Sequence, residues 1–391
     1  MKVLTTGLGW NEWQPGGLNR YYADYNQALK EHGHTAIGLI AGGKREELSA
    51  GLSIKKAANA DAPILSRMWS FRRHAASIVA DQKPDVFNPH FALYASMISR
   101  DLLPDHIPIV THFHGPWAME SNLEESGTPF LVREARYRMK KRIELATYRR
   151  SDRFIVLSDY FRKMMIEHYG IDGERIDIVP GAVEHERFAP AVDRLSVRQK
   201  LGVQEHTSLL FCVRRIVRRM GIDRLIEAMS EVAEHCPHSR LVIAGEGPMR
   251  GEYEQLIAER RLTGRVQMVG RVSNEQLVEW YQAADISVVP TVTLEGFGLV
   301  TVESLSCGTP AMGTPYGGTK EILSGLSGDL LFDDGSPQAM ARQLVKALKG
   351  ELQLPTREEC HEFVLRNYTW SQVARSVTEV LEDAAERRKR Q

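Results

Sequence analysis

Short apolar, β-branched runs recur along this chain between longer stretches of helical periodicity, and this pattern narrows the possible folds most. The first half contains "MKVLTTG", "HTAIGLIAG", "DVFNPHF", "IPIVTHFHG" and "DRFIVLS". The second half repeats the scheme with "SLLFCVRRI", "SRLVIAGEG", "RVQMVGRV", "ADISVVP" and "TPAMGTP". A strand with one wet face alternates apolar and polar residues, whereas these runs are continuous, so each predicted strand is covered on both faces. The intervening helices supply the covers and make the strands parallel. The chain has 391 residues, and a domain holds on the order of 150. The prediction is α/β, with two doubly wound, Rossmann-like domains.

The break is placed near residue 185, in "IVPGAVEHERFAPAVDRLS", where Pro180, Gly181 and Pro190 follow a strand and a helical pattern restarts. This gives domains over 1–185 and 186–368 and a C-terminal segment over 369–391. In that segment Trp370, Val373, Val377, Val380 and Ala384 recur at three- and four-residue intervals, so one helix face must pack on something. The basic residues after it read as a frayed tail. Lys+Arg and Asp+Glu both number 50, so net charge gives no reason to expect nucleic acid or a strongly acidic partner. Cys212, Cys236, Cys307 and Cys360 lie far apart without a CxxC pair, which indicates neither a disulfide framework nor a structural metal and fits a cytoplasmic location. No apolar run approaches the roughly 20 residues of a spanning helix.

The segment "LEGFGLVTVES", residues 294–304, reads as a glycine turn opening a short buried helix at Leu299. Glycines at 296 and 298 let backbone N–H groups approach a ligand, and the helix dipole favours an anion. Glu295 beside such a helix start would repel phosphate unless it faces hydroxyl groups. A sugar attached to a phosphate meets both demands. Glu303, about a turn and a half on, is spaced to accept from a second diol such as a ribose; the competing reading is a loop charge and a solvated helix residue. "RRIVRRMGIDRLIEAM" puts Arg214, Arg215, Arg218 and Arg219 at the C-terminal end of a predicted strand, where open α/β sheets bind ligands. Guanidinium forks there suit a diphosphate. Gly245 and Gly247 in "AGEGPMR", and Gly16 and Gly17 in "PGGLNRYY", sit at two further helix entries, and each alone is also an ordinary turn. His112 and His114 in "VTHFHGPW" share one face of a strand end, one as a core or orienting histidine and the other reaching a cleft.

In that order and over nearly the whole chain, "PGGLNRYY", "HFHGPW", "VPGAVEHERF", "RRIVRRMGID", "AGEGPMR", "ADISVVPT", "EGFGLVTVES" and "TPYGGTKEIL" resemble the retaining glycosyltransferases of family 4. The resemblance implies the GT-B architecture: two Rossmann-like domains facing a cleft, with the C-terminal helix crossing back to the first. It implies that Glu295 and the amides of Gly296, Phe297, Gly298 and Leu299 hold the donor sugar, that Glu303 holds the ribose and that Arg215 grips the diphosphate. His114 would lie by the transferred sugar, which makes His114, Arg215 and Glu295 the expected catalytic group. Gly16 and Gly17 would close the N-terminal side near phosphate and acceptor, while Gly245, Gly247 and the backbone at Arg271 and Val272 would line the nucleotide site. Two positions depart from the family pattern. Met220 stands where a lysine usually precedes the loop glycine, Gly221, and Arg214 stands where a glycine is usual. The diphosphate is then one cation short unless Arg219 or Arg218 supplies it, with Arg219 the nearer, and Arg214 is expected to be exposed.

The reaction the resemblance implies moves a hexose from a nucleotide sugar, UDP-linked in preference to GDP-linked, to a saccharide, lipid-linked or small-molecule acceptor with retention of configuration. Pre-placed arginines and helix N-termini would stabilise the leaving diphosphate. The sequence has no Asp-x-Asp motif, so turnover is expected to be metal-independent, and no cofactor is expected. A binding or regulatory protein on the same fold is the reading from another class, with Met220 its main support. A dehydrogenase is disfavoured, because no GxGxxG with an acidic residue about 20 positions on follows a first strand. Residues 133–153 carry nine basic residues against Glu134, Glu144 and Asp152, with Val132, Ala135, Met139, Ile143 and Ala146 at helical spacing. That is the pattern of a helix that lies against anionic lipid, or of one docked on its own domain with a solvated face.

Overall fold

The computed structural model describes residues 1–14, 16–42, 52–125 and 127–390. The chain divides into two compact units, one of Met1–Ala182 with Trp370–Gln391 and one of Val183–Thr369. The division falls just ahead of residue 185, and the C-terminal helix belongs to the first unit.

In the first unit, β1 (Lys2–Thr6), β2 (Thr35–Gly42), β3 (Ser53–Asn59) and β4 (Val86–Pro89) form a parallel sheet in the order β3-β2-β1-β4. A second parallel group, β5 (Val110–Phe113), β6 (Arg153–Val156) and β7 (Ile176–Ile178), runs in sequence order, and a bridge between Phe87 and Ile109 ties the two. The continuous apolar runs became the inner strands, with Leu4, Ile37, Phe87 and Ile109 in one core with Phe71 and Tyr94. The edge strands β3 and β7 are short or half wet, which is why their sequence signal is weak. The helix Trp370–Arg390 buries Trp370, Val373, Ala374, Val377, Leu381 and Ala384, so Leu381 takes the core position expected of Val380. Its basic end is not a frayed tail. The helix runs to Arg390, Arg387 and Arg390 pair with acids one turn back, and Arg388 lies 3.4 Å from Asp152.

In the second unit, β8 (Ser208–Val213), β9 (Ser239–Ala244), β10 (Val266–Gly270), β11 (Ile286–Val289) and β12 (Ala311–Gly313) form one parallel sheet in the order β10-β9-β8-β11-β12. The chain steps outward from β8 to β10 and then returns to the other side of β8. The order therefore reverses between β8 and β11, and a crevice opens at the C-terminal ends of those strands. At the opposite ends, Asp285 accepts from the Leu209 amide at 2.7 Å and pairs with Arg194 and Arg198, pinning the entry of β11 to that of β8.

The loops leaving the C-terminal ends pack backbone on backbone. Arg214 donates its amide to Ala244 and Ile216 to Glu246, and a Cβ on Gly245 would overlap the Arg214 carbonyl oxygen. Gly245 also has φ +135°, a conformation that disfavours side chains. We expect Gly245→Ala to destabilise the chain by about 2–4 kcal/mol in urea unfolding. Gly251→Ala, where an added Cβ meets nothing within 4 Å, should change stability by less than about 1 kcal/mol. Equal effects would mean the loop packing is slack.

Candidate functional site

The crevice between β8 and β11 is lined by two exit loops. One carries Arg214 to Met220 and the other runs from Pro290 to Gly298. They are joined where the Val292 amide donates to the Arg219 carbonyl at 3.1 Å, and a Cβ on Gly221 would overlap the Pro290 carbonyl. Gly298, at φ +96°, opens the helix Leu299–Ser306, and no side chain caps that helix start. The loop of Glu295, Gly296 and Phe297 is braced from beyond: Gly318 donates its amide to the Glu295 carbonyl at 2.8 Å, and side chains at Gly317 and Gly318 would overlap its backbone. The Gly-Gly pair in "TPYGGTKEIL" is thus the support of this loop, a role its sequence signature alone left unassigned.

Within this group the side chains are already arranged. Arg214 is not exposed as expected: only 8% of its surface is accessible, and its Nη2 lies 3.0 Å from Oε2 of Glu295, an ion pair outside ideal hydrogen-bond angles. The Thr291 hydroxyl donates to the same carboxylate oxygen at 3.0 Å and lies 3.8 Å from the Met220 sulfur. Arg215 and Arg218 are exposed; Arg218 pairs with Glu252, while Arg219 donates to the Leu294 carbonyl at 3.4 Å. Glu303 is not a solvated helix residue, since 1% of its surface is accessible and the Tyr281 hydroxyl donates to its Oε2 at 3.1 Å. Gly245 donates its amide to Gly270, and Arg271 donates its own to Glu246, which sets Gly247, Arg271 and Val272 at the C-terminal ends of β9 and β10. The predicted residues of this unit therefore gather along one edge of one sheet.

The remaining predicted residues belong to the first unit. Gly16 and Gly17 open the helix Gly17–Glu31, are exposed, and leave open space where a Cβ would sit. His114 follows β5 and stacks with His112 at a 4.8 Å centroid separation and 4° between planes. Sequence reading missed the third ring, His90 after β4, which stacks on both. A chain of hydrogen bonds sets the protons here. Asn88 donates its amide to the Val110 carbonyl, so its Oδ1 must be the acceptor for Tyr25 and for Nε2–H of His90. Neutral His90 then has an unprotonated Nδ1, which accepts from Nε2–H of His114 at 2.9 Å. His114 is left with its lone pair on Nδ1, and the site has an acceptor where an imidazole might have been a donor.

Burial lowers the three imidazoles: His114 to about 3, with His90 and His112 well below their ordinary value, His90 further by His112 and His114 and His112 further by His114. All three are neutral in the folded chain near neutral pH, whereas in the unfolded chain each takes a proton near its ordinary value of about 6.5. Their contribution to stability is therefore complete above about 6.5 and is lost as pH falls toward about 3. Urea midpoints should drop between pH 6.5 and about 5, because the three imidazoles outweigh the opposing gain from Glu144, whose carboxyl burial raises to about 7, and His112→Asn should make the slope shallower. A flat profile would mean the rings are hydrated.

Residues 15–187 match the family model described as Glycosyltransferase Family 4, and residues 193–366 match Glycosyl transferases group 1. The D-inositol 3-phosphate glycosyltransferase of Geodermatophilus obscurus is 31% identical over 247 residues, 60% of this chain and 53% of that protein. The chain spans about half the length of the first curated relatives it matches. Sucrose-phosphate synthase from Thermosynechococcus elongatus has the same fold at a TM-score of 0.80 and 19% identity over 98% of each chain. Anabaena HepE, solved in complex with UDP-glucose, does so at 0.75 and 16% over 98% of this chain and 100% of its own. With the GT-B fold carried by these structures and its two halves matched by the two family models, the chain belongs to the GT4-type glycosyltransferases.

Proposed function

We propose that this chain transfers a hexose from a nucleotide-diphosphate sugar, UDP-linked in preference to GDP-linked, to a hydroxyl of an acceptor in polysaccharide or glycoconjugate synthesis. Configuration is retained and no metal ion takes part. One observation supports this above others: the point where the sheet order reverses, between β8 and β11, brings guanidinium groups, an uncapped helix start and Glu295 into two adjoining loops. A sugar diphosphate needs all three.

In this reading Arg215 grips the diphosphate, Glu295 and the amides of Gly296 to Leu299 hold the donor sugar, and Glu303 accepts from the ribose. Gly245, Gly247, Arg271 and Val272 border the base. In the first unit, Gly16, Gly17 and the Nδ1 lone pair of His114 serve the acceptor and the sugar. Breaking the sugar–phosphate bond builds negative charge on the diphosphate, which fixed cations and amides stabilise without reorganising. The departing phosphate oxygen takes the acceptor proton as the acceptor attacks the same face, so no carboxylate nucleophile is required. Glu295 is suited to holding hydroxyls, because Arg214 and Thr291 already engage its Oε2.

Thermal shifts in EDTA with UDP, GDP, ADP and NAD should show one nucleoside diphosphate stabilising the chain and NAD without effect. Glu303→Gln should weaken that nucleotide about tenfold or more. No shift with any nucleoside diphosphate would overturn the reading, and an inverted product or a trapped sugar on Glu295 would overturn retention by this route.

A membrane contact is supported by a separate observation. The helix Phe130–Tyr148 buries Glu144, Thr147 and Tyr148, and Tyr169 donates to the Glu144 carboxylate. Most of its apolar stripe faces out: Val132, Ala135, Met139 and Ala146 are exposed, while Ile143 packs on the core of the unit. Phe130 and Leu131 are 66% and 79% accessible, and with Met68, Met97, Met139 and Ile143 they line a groove of about 940 Å³. Leu65 and Trp69 of the helix Ile64–Gln82 are also exposed, and Arg138 and Arg142 flank the groove. Apolar side chains with Arg142 and the Arg138–Glu134 pair at their edge suit an anionic lipid surface. The chain should float with phosphatidylglycerol vesicles at low salt and less with pure phosphatidylcholine. Leu65→Asp with Leu131→Asp should lower that binding about tenfold. Binding that survives the double substitution would exclude this face.

A further inference from the structure

Arg214 carries a full positive charge to a place that solvent barely reaches. Its Nε has no hydrogen-bond partner among the described residues, and its Nη2 sits 3.0 Å from Glu295. The Oε2 of Glu295 lies 3.0 Å from both the Arg214 guanidinium and the Thr291 hydroxyl, and the Met220 thioether lies 3.8 Å from that hydroxyl. A carboxylate in such surroundings is costly without a cation. Beside an open helix start it would also repel the phosphates that the helix attracts. Elsewhere in the loop, Arg218 meets Glu252 at the surface, and Arg219 donates to the Leu294 carbonyl.

We propose that Arg214 is the positioning residue that supplies the charge Met220 withholds. It neutralises and orients Glu295, so that a donor bearing a diphosphate meets an ion pair instead of a bare carboxylate. This deepens the transfer reading and rests on it. Arginine at 214 with methionine at 220 is then one of two equivalent solutions. The other is a neutral residue at 214 with lysine at 220, because the Met220 side chain already ends beside Thr291, and a lysine amine extends one bond past the methionine methyl.

The test exchanges the charge between positions. Arg214→Met, Met220→Lys and the double variant are compared with the unmodified chain for UDP affinity by calorimetry and for melting temperature. Arg214→Met should weaken UDP about tenfold or more, or unfold at a clearly lower temperature. Adding Met220→Lys should restore affinity to within about threefold and recover the melting temperature. Normal UDP affinity in folded Arg214→Met would overturn the role of Arg214 while leaving the transfer reading intact. Failure of Met220→Lys to restore either quantity would overturn the exchange, because a packing defect at 214 cannot be repaired by a cation at 220. Absence of UDP, GDP and ADP binding by the unmodified chain would instead remove the transfer reading beneath it.

Discussion

Where β8 ends, the carbonyl oxygen of Arg214 occupies the space that a side chain on Gly245 would need, and the carbonyl of Pro290 does the same at Gly221. These close approaches draw together the exit loops of β8, β9 and β11 at the point where the sheet order reverses. Parallel strands aim their C-terminal ends the same way, but the loops beyond them diverge unless something holds them. Backbone packing does so here with few side chains. The groups that face a ligand are then free for chemistry.

The electrostatics of the loop follow from that packing. Gly317 and Gly318 press on the backbone of residues 295–297, which leaves the Glu295 side chain turned toward Arg214 and Thr291. The adjoining helix opens at Gly298 with no side-chain cap, so its first amides keep their attraction for an anion. A carboxylate and an uncapped helix start are compatible neighbours because a buried guanidinium stands beside the carboxylate. The same pair leaves Glu295 able to accept hydroxyl protons without presenting an unbalanced charge.

In the first unit the controlling device is a proton arrangement. One carbonyl, that of Val110, orients the Asn88 amide, and the orientation passes through His90 to His114. Three stacked imidazoles could serve as acids, bases or ligands. Burial and this chain of donors make them neutral, with a defined lone pair on His114.

Much of this was legible in the amino-acid order, since the continuous apolar runs marked every strand of the second unit and the inner strands of the first. Strands buried on both faces must be apolar throughout, whereas the edge strands β3 and β7 have no such requirement and left little trace. Glycines at turns and arginines at strand ends marked the edge that the proposed site occupies, because close backbone approach demands glycine and the diphosphate of the proposed donor demands guanidinium groups. What lay outside local pattern was decided by the tertiary structure. Arg214 looked like a surface residue until Glu295, some eighty positions on, was folded against it. His90 and Asn88 carried no motif until β4 was set beside β5. The apolar stripe of the Phe130–Tyr148 helix pointed to a buried face as readily as to an outer one until Glu144 proved to be the residue turned inward. The sequence determined which segments become strands and helices and which chemistry they bring, because burial periodicity and backbone conformation are local. Which charge meets which, and which face stays open, depends on contacts between residues far apart in the chain, and only the folded arrangement decided those.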